Sequence, residues 1–140
     1  MSVATTPTQE WPKWTTPLGI AAVLFGLMTL ASGGLVLFGG YHTAMGNIVP
    51  FVLWFNFLSG FFYAAAGVGI ILRANWSLPL SLLIAGMIVG VFAVLLYAVL
   101  TGSAYETRTI LAMTSRAIFW LSTAFLVARA FRQAKADFPL

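Results

Sequence analysis

Apolar residues fall into four long runs, Leu18–Gly39, Phe51–Leu72, Leu78–Leu100 and about Thr109–Ala128, separated by short polar stretches. Each run is near the roughly 20 residues that carry a helix across a hydrocarbon core of about 30 Å. No run alternates polar and apolar residues with period two, as a membrane barrel strand would. In lipid every backbone polar group must be paired within the chain, so continuous apolar runs are expected to be helical. The pattern predicts an all-α protein, an antiparallel four-helix transmembrane bundle over residues 18–131. A polar tail over 1–17 precedes it and another over 132–140 follows it.

The connections are short, which favours sequential neighbours in an up-down arrangement. Pro17, Pro50 and Pro79 sit near the starts of runs, where a missing N–H costs least. Small residues recur in stripes: Ala22, Gly26, Thr29 and Gly33 in the first run, Asn56, Gly60, Tyr63 or Ala64, and Gly67 in the second, and Gly86, Gly90 and Ala93 in the third. Small residues let helix backbones approach in lipid, so these stripes are expected to line the bundle interior. A homo-oligomer contact through one of them is the alternative.

Composition sharpens the membrane reading. The hydrophobic fraction is 61%, only 7% of residues are charged, and the mean hydropathy is +0.97. A soluble domain of 140 residues could not hide that much apolar surface, whereas a lipid bilayer is the solvent that suits it. The 22-residue first run is longer than a signal-peptide core and reads as a retained span. Trp11 and Trp14 before it are placed for an interfacial aromatic belt.

The net charge of +4 comes from residues spread along the chain and does not form a nucleic-acid footprint. Lys13, Arg73, Arg129, Arg132 and Lys135 fall on one side of a four-span topology, and Arg108 on the other. The positive-inside rule then puts both termini in the cytoplasm of a cell with an inner membrane.

Within the four runs the single charge is Arg116. An Arg at a helix centre costs roughly 2.5–3.5 kcal/mol on insertion scales, so such residues mark sites unless the side chain snorkels to the headgroups. Arg116 is about 10 Å inside the outer end of its run at 1.5 Å per residue, and Asn56 roughly 8 Å inside its own. A hydrogen bond from Arg116 to the Asn56 amide oxygen would lower both burial costs. Glu106 lies about 15 Å further up the axis, beyond easy reach of Arg116. Arg116, Met113 and Asn56, with Tyr97 in the same leaflet, outline an outward-facing pocket, rimmed by Glu106, Arg108 and His42, for a small polar or anionic ligand.

His42 begins His42-x2-Met45, and Met113 shares a helix face with Arg116. Imidazole and thioether ligands suit copper, which makes His42, Met45 and Met113, with Glu106, a candidate metal set. Other chemistry lacks its residues. There is no cysteine for disulfide or thiolate work, no lysine in a span for a Schiff base, and no acidic residue in a span for cation-coupled exchange. The one Asp, Asp137, lies in the second tail, away from any external Ser–His pair. The expectation is a non-enzymatic transport-related or accessory protein. A structural subunit of a larger membrane complex and a copper-handling or redox protein remain open beside it.

Overall fold

A computed structural model describes residues 11–39, 50–102 and 107–136, with backbone alone at 50–52, 135 and 136. It consists of four helices, α1 Thr15–Phe38, α2 Pro50–Ile71, α3 Ser77–Leu100 and α4 Thr107–Ala136. Each is long and apolar enough to cross a bilayer. The chain is therefore an all-α, multi-pass membrane protein.

Apolar character alone cannot stick these helices together in lipid, so shape has to. The closest pair is α1 with α2. Gly19, Gly26 and Gly33 recur every seven residues on the buried face of α1. A Cβ added to Gly26 would lie 2.6 Å from the Ala64 nitrogen and 2.8 Å from the Gly60 oxygen. One added to Gly67 would lie 2.6 Å from the Val23 nitrogen. Gly19 meets Ile71 and Gly33 meets Phe57, so the two helices run antiparallel with backbone against backbone.

The turn between α2 and α3 closes with a left-handed cap. Arg73 has φ 56, the Ala74 N–H donates to the Gly69 oxygen at 2.9 Å, and the Arg73 N–H donates to the Ile70 oxygen at 3.1 Å. This is the double bond pattern of a Schellman motif, with Arg in the place glycine usually takes. Ser77 then donates its hydroxyl proton to the Ala74 oxygen at 2.7 Å and starts α3.

The third small-residue stripe does not line the interior. Gly86, Gly90 and Ala93 are exposed, and a Cβ on either glycine would meet nothing within 4 Å. Helix α3 instead buries Ile84, Ala85, Ile88, Val91 and Leu95. Bulky side chains fill that interface, so α3 stands further from its neighbours than α1 stands from α2.

Rings fix the placement of α4. Phe25 of α1 stacks on Phe119 with centroids 4.6 Å apart and planes 2° from parallel. Trp11 meets Phe131 edge-on at 4.6 Å. These pairs run in opposite chain order, so α4 is antiparallel to α1 and parallel to α2, and α2 and α4 face one another across the bundle. At 30 residues α4 is about 45 Å long, well beyond a core of about 30 Å. Its last turns bury Trp11 against Ala130, Ala134 and Phe131. Trp11, expected at the lipid interface, is only 4% exposed because this extension covers it. The start of α1, the α2–α3 turn and the end of α4 make one end of the bundle, here the near end. The end of α1, the start of α2, the end of α3 and the start of α4 make the far end.

Candidate functional site

Two polar stripes meet where α2 faces α4. On α2, Asn56, Ser59 and Tyr63 are three and four residues apart, the spacing that stacks side chains on one helix face. On α4, Met113, Arg116, Trp120 and Thr123 repeat that spacing. Tyr63, Met113 and Trp120 are wholly buried, and Thr123 is 1% exposed. The Tyr63 and Trp120 rings touch at 4.9 Å between centroids, which sets the level at which the stripes meet. Tyr63 also touches Phe25, at 5.8 Å, which ties α1 to the same layer.

Most hydroxyls in these helices satisfy themselves locally. Ser59 donates to the Asn56 carbonyl oxygen at 2.8 Å, Thr114 to that of Ile110 at 2.8 Å, and Ser115 to that of Ala112 at 2.8 Å. Five polar atoms do not. Among the described residues the buried Asn56 Oδ1, Tyr63 hydroxyl, Arg116 Nε, Trp120 Nε1 and Thr123 Oγ1 make no hydrogen bond of full geometry, although the Ser59 hydroxyl lies within reach of that of Tyr63. Each such group left unpaired away from water costs about 1–3 kcal/mol. All five belong to the two facing stripes. The Arg116 guanidinium and the Tyr63 hydroxyl are close enough to interact electrostatically.

The chemistry of the set is lopsided. Nε of Arg and Nε1 of Trp can only donate, and the Tyr and Thr hydroxyls can donate as well. The Asn56 oxygen alone must accept. The seam therefore offers up to four donors against one obligate acceptor, an arrangement that suits an oxygen-bearing ligand.

The expected Arg116–Asn56 hydrogen bond is not made. From the touching Tyr63–Trp120 pair, Asn56 lies seven residues toward the far end, about 10.5 Å, and Arg116 four residues, about 6 Å. The two helices also face each other diagonally across the bundle, so the gap is both axial and lateral. Arg116 does occupy the inward face of α4, with Nε buried. Nine residues from the helix start, it sits about 13 Å in from the far end.

The other residues singled out by sequence separate. Tyr97 is 69% exposed on the outer side of α3 and does not join Arg116 and Asn56. Arg108 is exposed in the first turn of α4. Met113 lies in the core cluster beside Tyr63 and Trp120 rather than at a mouth. His42, Met45 and Glu106 lie outside the described residues, so most of the rim and most of the candidate copper set lie outside them too. Among the described residues no three His, Cys, Asp or Glu come together.

Sequence reading missed Tyr63 as a site residue, and Trp120 and Thr123 altogether. The signal was present as a stripe of spacing three, four and three through Arg116. Comparison with known protein families, with characterised proteins and with solved structures finds nothing that matches this chain.

Proposed function

We propose that this chain is a small inner-membrane protein that binds a polar or anionic ligand in the seam between α2 and α4, in a transport-related or accessory role. One observation carries the reading: five buried polar atoms without a hydrogen bond of full geometry on two facing stripes, four of them able to donate. A bundle held together by packing alone has no use for such a seam, which costs stability until an acceptor fills it. Arg116 and Tyr63 are assigned to the ligand's oxygen atoms, Asn56 to a donor on the ligand, and Trp120 and Thr123 to the floor.

The bare face of α3 at Gly86 and Gly90 favours a second reading, a subunit that docks on a larger complex. One measurement separates the two. Native mass spectrometry of protein extracted in mild detergent is expected to show a small bound species on the wild type that Arg116→Met loses. The same variant is expected to melt no lower than the wild type, since it removes a buried Nε donor that has no partner, a group that costs about 1–3 kcal/mol when left unpaired. A stable hetero-complex whose mass is unchanged in Arg116→Met favours docking and contradicts ligand binding.

Orientation follows from the charges at the near end, where Lys13, Arg73, Arg129 and Arg132 gather. The reading puts that end in the cytoplasm and the Arg116 end of the seam toward the outside. The chain has no cysteine, so single-cysteine variants report cleanly. On intact spheroplasts a membrane-impermeant maleimide is expected to label Thr101→Cys and to leave Asn75→Cys unlabelled until the membrane is opened. The reverse pattern would invert the topology.

A further inference from the structure

The outer face of α4 carries a notch at the near end. Its volume is about 280 Å3, and Phe125, Ala128, Arg129 and Arg132 line it. These four are three and four residues apart and fall within an arc of about 100° at 3.6 residues per turn. The arc lies opposite Thr123, Val127, Ala130 and Ala134, which α4 buries. Phe125 is 66% exposed, and both arginines are exposed.

The notch depends on Ala128. Its single side-chain carbon stands between the phenyl ring of Phe125 on one turn and the long stem of Arg132 on the next, so the larger side chains wall a space that Ala leaves open. Each guanidinium offers five N–H donors and no acceptor. Among the described residues there is no Asp or Glu to meet them, since Glu10, Glu106 and Asp137 lie outside those residues.

Charge alone does not account for this arrangement. An arginine that only orients the chain needs to lie at the near end and nothing more, as Arg73 does in the α2–α3 turn. Arg129 and Arg132 also share a face with an exposed ring. Charged side chains settle in the headgroup layer because hydrocarbon penalises them. Phe125 lies four residues, about 6 Å, closer to the bilayer centre than Arg129, which brings its ring to the acyl chains. The face therefore sets an anion-binding half below an apolar half, the order in which a phospholipid presents its phosphate and its chains. A soluble anion would use the arginines and leave the ring idle. A zwitterionic lipid brings a cation beside its phosphate, which two arginines repel. At the ~30 Å3 of a liquid water the notch holds about nine heavy-atom groups, enough for a phosphate and the glycerol carbons it esterifies.

We infer that this notch binds one anionic phospholipid from the leaflet at the near end. Arg129 and Arg132 hold the phosphate, whose oxygens match the guanidinium fork two at a time. One acyl chain lies along Phe125. The site is on the opposite side of α4 from the seam, and it stands whatever the seam holds.

The probes are phosphatidylglycerol and phosphatidylcholine with the same acyl chains, and glycerol phosphate, which has the anion without the chains. Each is titrated into delipidated, solubilised protein and counted by native mass spectrometry. The wild type is expected to take one phosphatidylglycerol about tenfold or more tighter than either of the others. Arg129→Gln and Arg132→Gln are each expected to weaken it about fivefold, the worth of one arginine at an anionic membrane surface. Ala128→Leu fills the notch and leaves the charge unchanged, and it too is expected to cost about fivefold or more. Arg73→Gln makes the same charge change outside the notch and is expected to stay within about twofold of the wild type. Equal binding of the two lipids, a loss in Arg73→Gln as large as in Arg132→Gln, or indifference to Ala128→Leu overturns the site in favour of a diffuse positive surface. Glycerol phosphate bound as tightly as phosphatidylglycerol overturns the lipid in favour of a soluble anion.

Discussion

Gly26→Val is expected to cost about 3 kcal/mol or more of stability, enough to scatter the solubilised protein in gel filtration. Overpacking in a filled interface typically costs 1–3 kcal/mol, and the figure rises when nothing nearby can turn aside. At Gly26 the obstacles are the Ala64 nitrogen at 2.6 Å and the Gly60 oxygen at 2.8 Å, both backbone. Relief requires α1 and α2 to separate along their whole length, which also breaks the matching approach at Gly67 and Gly19. Gly90→Val is the contrast. Its added atoms meet nothing within 4 Å, so unfolding by detergent titration is expected to shift by no more than about 0.5 kcal/mol. Equal losses at both positions would mean that glycine acts here through helix flexibility rather than close approach.

Trp120→Ala is the second large effect, at about 3 kcal/mol. In lipid the solvent is as apolar as the core, so the loss is one of contacts and cavity rather than transfer from water. Trp120 is wholly buried, and its ring touches Tyr63 at 4.9 Å and Phe119 at 5.5 Å. Truncation removes the rivet between α2 and α4 at the layer where the polar stripes meet. Large-to-small changes of this kind cost about 3–5 kcal/mol in soluble cores, and the lower figure suits a membrane interior. Trp120→Phe should cost about 1 kcal/mol or less, because it keeps a ring and deletes an N–H that has no partner. A Phe variant as unstable as the Ala variant would show that the indole N–H is bonded in the folded protein.

Sequence was informative along the membrane normal and silent around the helix axes. The four apolar runs give the four helices because lipid forces pairing of the backbone, whatever the side chains do. The apolar run ends at Ala128, while Arg129–Ala136 continues α4 because Ala, Arg, Gln and Lys favour helix. Azimuth is another matter. A membrane helix is apolar on every side, so hydropathy does not say which face turns inward. Gly86 and Gly90 were small enough to sit inside and face out, and Tyr97 was at a fitting depth on the wrong side of α3.

The same blind spot explains Arg116. Its depth could be counted from the end of its run, and so could that of Asn56. That α2 and α4 stand diagonally, with Tyr63 and Trp120 closing the space between them, depends on contacts no single run encodes. What the structure adds is a change of neighbours. Arg116 belongs with Tyr63, Trp120 and Thr123 on a seam with surplus donors, and Asn56 joins it from above.

A density map of the protein in a lipid nanodisc, at a resolution that shows ordered small molecules, tests this directly. The account predicts ordered non-protein density in the seam, within hydrogen-bonding distance of the Tyr63 hydroxyl and Arg116 Nε. Arg116 extended into the outer headgroup layer, with the stripes closed on each other and no density between them, would contradict it.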